Sequence, residues 1–155
     1  MRIILFAFLI GVVSGLRSMA APAAVSWAVQ LKYLSTGETW LAFLGFRWTP
    51  WLLSIAALGE FISDKLPFTP SRKALVPFLA RILSGALCGG AIGATLGNLY
   101  IGLAFGAAGA LAGTLGGYAA RRGLVRAIGG RDFPIALLED LVAIVTAVCV
   151  VAFAR

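Results

Sequence analysis

The chain reads as an all-α polytopic transmembrane helical bundle of about five spans, one domain over 1–155, with a kinked or broken first helix and a glycine-zipper hairpin. Three observations predict this. Hydrophobic residues fill 61% of the 155 positions and charged residues only 12%, against about 25% charged in ordinary soluble domains. Glycine recurs at every fourth position at Gly85, Gly89, Gly93 and Gly97, and again at Gly109, Gly113 and Gly117. Each would cost a soluble helix roughly 1 kcal/mol relative to alanine. In lipid the backbone has no water to pair with and stays helical, and such glycines form a flat strip for helix packing. The third observation is that the 13 Lys and Arg, set against 6 Asp and Glu, sit in short links between apolar runs, as topology signals do.

The first span covers 3–30, longer than the roughly 20 residues a bilayer needs, and Gly11, Gly15, Arg17 and Pro22 near its middle predict a kink or break. Arg2, the apolar run 3–13 and the small residues 18–21 imitate a signal peptide. The remainder is equally apolar, so the segment reads as a retained first helix. A polar link, 32–48, follows. Thr49-Pro50 then resembles an N-cap with a first-turn proline, opening a second span to about residue 65. Pro67 and Pro70 make 66–73 a stiff extended loop. Spans at 78–97 and 99–120 form the hairpin about Asn98, 121–132 is a basic glycine-containing link, and 133–153 is the last span.

Nine cations, Arg2, Lys65, Arg72, Lys73, Arg81, Arg121, Arg122, Arg126 and Arg131, fall on one side of this five-span arrangement, and Lys32, Arg47 and Arg155 on the other. Cations concentrate on the cytoplasmic side of membrane proteins. The reading is therefore an inner-membrane protein with a cytoplasmic N-terminus, an external C-terminus, and Trp27, Tyr33, Trp40, Trp48 and Trp51 as an outer aromatic belt. The excess charge of +7 does not indicate nucleic acid, because no basic stripe is interleaved with exposed aromatics. Without histidine, and with Cys88 and Cys149 both inside apolar runs, neither a His-containing zinc site nor a disulfide framework is implied. No metal or cofactor is expected.

The informative residues are charges the spans do not need. Arg17 lies about 20 Å along the first helix, near mid-bilayer, where arginine costs from about 2.5 kcal/mol upward and requires a partner, a cavity or an anion. It is either a structural arginine bonded to carbonyls freed by the break, or part of an anion site beside a discontinuous helix. Glu60 and Asp64 are one turn apart on the second span, and Glu139 and Asp140 open the fifth. They are either buried ion pairs with Arg81, Arg121 and Arg122 or a proton or cation pathway. Glu139 and Asp140 diverge by about 100° on a helix, so one of them faces any such path. A faint internal echo pairs Gly11 and Gly15 with Gly109 and Gly113, and Glu60 with Glu139, as an inverted repeat would.

Gly15-Leu16-Arg17-Ser18-Met19-Ala20-Ala21-Pro22-Ala23-Ala24, Asp64-Lys65-Leu66-Pro67-Phe68-Thr69-Pro70-Ser71-Arg72, Ala80-Arg81-Ile82 and Leu138-Glu139-Asp140 resemble the recurring marks of a bacterial multi-pass membrane family catalogued only as a domain of unknown function. The resemblance spans nearly the whole chain and implies an integral membrane protein, with no activity to carry over. From the residues, the favoured function is a small transporter or channel for a small or anionic solute, with Arg17, Glu60, Asp64, Glu139 and Asp140 lining the path. The alternative is a lipid-binding or scaffold protein, in which Arg72, Lys73, Arg81, Arg121 and Arg122 hold anionic headgroups. Catalysis is not expected: no carboxylates take metal-binding spacing, and Ser14, Ser18, Ser63 and Ser84 have no histidine to activate them. So small a domain has little interior for a path, so the expected partners are membrane lipids, a small solute and further copies of the chain in a homo-oligomer.

Overall fold

The computed structural model describes residues 1–37, 39–63, 75–127 and 132–154. Its regular elements are α1 (Arg2–Leu16), α2 (Ala20–Gln30), a 3-10 helix (Trp40–Gly45), α3 (Thr49–Ser63), α4 (Leu75–Thr95), α5 (Leu99–Ala127) and α6 (Asp132–Phe153). α4, α5 and α6 are each long and apolar enough to cross a membrane, whereas α1 and α3 are shorter apolar helices. By helix length and composition this is a small all-α membrane protein.

Proline decides where four of the helices begin. Pro22, Pro77 and Pro134 are the third residues of α2, α4 and α6, and Pro50 is the second of α3. First-turn N–H groups have no intrahelical acceptor, so a residue without one costs little there. α4, described from Leu75, therefore includes residues 75–77 ahead of the expected 78. α5 meets no such signal and runs to Ala127 rather than 120. Arg121, Arg122 and Arg126 are therefore helical, not parts of a link. Thr49 does not act as a free-standing cap; its hydroxyl donates to the Phe43 carbonyl (2.9 Å) and ties α3 to the 3-10 helix.

The expected first span is two helices that turn back on each other. Pro22 lacks the N–H that would bond the Ser18 carbonyl in a continuous helix, and Arg17 is extended (φ −140°, ψ 113°). Gly11 meets Gly106 and Ala110, and Gly15 meets Ala110, Gly113 and Thr114, so α1 runs parallel to α5. Gly85 meets Gly106 and Ala110, Gly89 meets Gly102 and Gly106, and Gly93 meets Gly102, so α4 runs against both. α2 begins beside Ser84, whose hydroxyl donates to the Ser18 carbonyl (2.8 Å), and leads to Ser35, whose N–H donates to Thr95 Oγ1 (3.1 Å). It thus runs with α4 and against α1. At 1.5 Å per residue, α1 is about 22 Å long and α2 about 16 Å, both short of a hydrocarbon core of about 30 Å. Hydropathy cannot separate this hairpin from one long crossing, because both bury the same residues.

Direction alternates through the whole bundle. Trp27 Nε1 donates to Ser54 (3.0 Å) and Ser18 N–H to Glu60 (2.8 Å), so α3 descends along α2. Val151 shares a groove with Ala28 and Leu31, and Asp140 pairs with Arg17, so α6 rises with α2. Both chain ends therefore lie at one end of the bundle, where opposite sides were expected. Arg2 moves to the sparse side, leaving eight cations in sequence against four, Arg2, Lys32, Arg47 and Arg155. Reporter fusions at the two termini should label the same compartment; opposite labels would mean that α1 and α2 cross as one helix. At that same end Trp27 and Trp51 pack edge to face (5.2 Å), and Arg47 lies over Trp48 (5.6 Å).

α1 is the central helix, packed by α2, α4, α5 and α6, with Ile10, Val13, Val25, Cys88 and Ile92 in the core around it. The hairpin partners of Gly85, Gly89 and Gly93 are Gly102 and Gly106, while Gly109 and Gly113 turn to Phe8 and Val12 of α1. Gly97 packs against nothing: with φ +89° it is the turn residue. Asn98 N–H donates to the Gly93 carbonyl (2.7 Å) and Asn98 Oδ1 accepts from Ile101 N–H (3.2 Å), closing one helix and opening the next. Gly117 lies in a groove facing α6. The internal echo is not an inverted repeat, since its glycine pairs lie on parallel helices packed against each other.

Candidate functional site at the hairpin tip

The α1–α2 hairpin turns at residues 17–19, beside Ser84 and Asp140. Ser84 is nine residues into α4 and Asp140 eight into α6, so the tip sits about 12–14 Å in from their ends. The break there exposes backbone groups that lipid cannot satisfy. Two of its carbonyls are met by side chains from different helices, and one N–H is met by backbone. Thr114 of α5 donates to the Gly15 carbonyl (3.2 Å), Ser84 of α4 to the Ser18 carbonyl (2.8 Å), and the Arg17 N–H reaches back to Val13 (2.8 Å).

Glu60 of α3 satisfies the other polarity. Its Oε1 accepts from Ser18 N–H and Ser18 Oγ (both 2.8 Å), and its Oε2 from Met19 N–H (2.8 Å). A carboxylate at the start of α2 is favoured both by charge-assisted bonds and by the positive end of the helix dipole. An external anion was one expectation beside this broken helix. The chain supplies the anion itself. Replacing Glu60 with alanine should cost roughly 1–3 kcal/mol, the scale for stranding buried donors; unchanged thermal unfolding in detergent would show that the cap is dispensable.

Arg17 is fully buried. Its Nη2 lies 2.5 Å from Asp140 Oδ1, and its guanidinium stands 5.7 Å from the centre of the Phe61 ring, close enough for a cation–π contribution. Glu139, on the adjacent face of α6, turns to Arg121 Nη1 of α5 (3.4 Å). So of the five path candidates, Arg17, Glu60 and Asp140 converge, Glu139 belongs to a separate pair, and Asp64 lies outside the described residues. Ser18, Ser84, Thr114 and Phe61 belong to the same cluster. The sequence signal for the hydroxyls was Pro22, which marks the Ser18 carbonyl as needing a new donor.

Among the expected headgroup residues, Arg81 is buried (4% exposed), one turn before Ser84, and cannot serve a surface role from there. Arg72 and Lys73 lie outside the described residues. Arg122 is exposed, as is Arg126. Among the described residues, lateral grooves open toward the surroundings, including one of about 210 Å³ between α5 and α6, one of about 420 Å³ between α2 and α6, and one of about 200 Å³ among α2, α3 and α6. None of these three is lined by Arg17, Glu60 or Asp140. No family model, no curated protein and no solved structure matches this chain.

Proposed function

We propose that this protein binds anionic phospholipid headgroups at its basic end and acts as a membrane scaffold, its buried charges locking the fold. The observation that carries the reading is where the acidic groups go. Glu60 caps α2, Asp140 pairs with Arg17, and Glu139 pairs with Arg121. All three are engaged inside the bundle, whereas Arg122 and Arg126 stay exposed. Near an anionic surface each such cation contributes about 1 kcal/mol. The positive-inside rule places this end in the cytoplasm of a bacterial inner membrane, with both chain termini outside. To test the reading, the protein is purified from vesicles of phosphatidylglycerol and phosphatidylcholine, and retained lipid is measured by native mass spectrometry. Wild type should enrich phosphatidylglycerol, and joint neutralisation of Arg72, Lys73, Arg122 and Arg126 should remove the enrichment. Equal retention of both lipids by wild type would overturn it.

A second reading, transport of a small or anionic solute, is favoured by one observation: a helical hairpin that ends inside the apolar layer, as the half-helices of transporters do. Under it Glu60 would yield its place on α2 to the solute. Chloride or phosphate flux into proteoliposomes should then exceed that of protein-free vesicles and vanish in Glu60→Gln and Glu139→Gln. Flux retained in both variants, or none in wild type, removes this reading for those solutes. Assembly into a homo-oligomer is likewise a proposal, and crosslinking in native membranes that traps only monomer would count against it.

A further inference from the structure

The lipid-facing sides of the helices differ in kind. α3 presents Leu52, Ile55, Leu58 and Ile62, and α6 presents Leu137, Leu141, Val145 and Val148, all exposed large side chains. The outer face of α5 instead carries Ala104, Ala108, Ala112 and Ala119, with Leu115 on the same line and Leu111 at its edge. This face is distinct from the two that α5 buries, where Gly102 and Gly106 meet α4 and Gly109 and Gly113 meet α1. At 100° per residue, Arg122 and Arg126 continue the same outer face, and both are exposed. The result is a shallow apolar strip that ends in two cations one turn apart.

The part of the strip nearest the cations, from Arg122 back to Ala112, covers ten residues, about 15 Å, which is half of a hydrocarbon core of about 30 Å. An acyl chain lying on the strip would span one leaflet while its phosphate sat between Arg122 and Arg126. Charge discriminates between occupants. A second copy of the chain, inserted the same way up and packed through this face, would bring Arg122 and Arg126 against their own counterparts. An anionic lipid neutralises them.

Resting on the lipid-binding reading above, we propose that the outer face of α5 holds one anionic glycerophospholipid, its acyl chain along Ala112, Leu115 and Ala119 and its phosphate bridged by Arg122 and Arg126. The test uses full-length protein purified with phosphatidylglycerol and followed by native mass spectrometry. Arg122→Gln with Arg126→Gln should lower the tightly retained phosphatidylglycerol about 25-fold, from about 1 kcal/mol per arginine. Ala112→Phe, which fills the strip and keeps both cations, should weaken retention while leaving thermal unfolding unchanged. Retention unaffected by these variants but lost on neutralising Arg72 and Lys73 overturns the site and leaves the broader reading standing. Absence of phosphatidylglycerol enrichment in wild type overturns both. In a Cys149→Ser background, Ala112→Cys should remain uncrosslinked on oxidation in membranes; a disulfide-linked dimer would assign the face to a second copy and overturn the proposal.

Discussion

Replacing Asp140 with alanine should destabilise the protein by about 3 kcal/mol, the lower part of the 3–5 kcal/mol range for removing one partner of a buried ion pair. Arg17 is fully enclosed, with Asp140 Oδ1 at 2.5 Å. Without Asp140 the bundle must bury a cation that has lost this carboxylate, or open to water. The lower part of the range applies because, in the inserted but unfolded chain, Arg17 can also find partners or reach the interface. Arg17→Met alone should cost a similar amount by removing the guanidinium that faces the Asp140 carboxylate. Combining Arg17→Met with Asp140→Leu should recover most of the loss, because a matched apolar pair is often as stable as the ion pair it replaces. Denaturation in graded SDS is the measurement. Single variants as stable as wild type would mean that water reaches Arg17, which would favour the transport reading over the scaffold.

That outcome bears directly on how far the charges could be read beforehand. Arg17, Glu60, Glu139 and Asp140 stand out in any hydropathy profile, and the 100° between Glu139 and Asp140 correctly implies that only one faces the centre. The choice of partners was not legible. Arg17 takes Asp140 and Arg121 takes Glu139, pairings across more than a hundred residues in the first case that depend on α6 lying beside the hairpin tip. Nor was the use of Glu60 legible. A carboxylate inside a span suggests a cation or proton site, yet here it answers N–H groups freed by a break on another helix. Arg81 looked like a surface cation because it falls close to a basic link, but six residues of α4 precede it, and they carry it inside.

The fold was legible where local chemistry decides and obscure where direction does. The helical class, the hairpin at Gly97 and Asn98, and the start of α3 at Thr49-Pro50 follow from residues within a few positions of each other. The reversal at Arg17 does not. Pro22 announces a break, but whether the chain then continues or returns depends on Thr114, Ser84 and Glu60, each supplied by a distant helix. One reversal was enough to move the N-terminus to the other end of the bundle. The cation asymmetry survives, because only Arg2 changes sides.

Gly106→Ala should destabilise the protein by about 3 kcal/mol, and Gly116→Ala on the same helix should be neutral or stabilising by up to about 1 kcal/mol. A β-carbon on Gly106 would overlap the Gly85 carbonyl oxygen and lie 2.9 Å from Gly89 Cα. Those neighbours are backbone, so no rotamer change relieves the clash; α4 and α5 must separate. Overpacking commonly costs 1–3 kcal/mol, and the upper end applies because separation also weakens the Gly89–Gly102 and Gly93–Gly102 approaches along the same strip. A β-carbon on Gly116 meets nothing within 4 Å, so only the gain in helix propensity remains. A larger residue sharpens the contrast: Gly106→Val should prevent the two helices from closing and yield protein that elutes as aggregate after extraction. Equal melting temperatures for the two alanine variants would show that the helices tolerate a wider spacing, and that close backbone approach is not what holds α1, α4 and α5 together. If the variants differ as expected, the glycines of α5 serve two partners at once. Gly102 and Gly106 admit α4, Gly109 and Gly113 admit α1, and the central helix reaches the hairpin tip only because both approaches are this close.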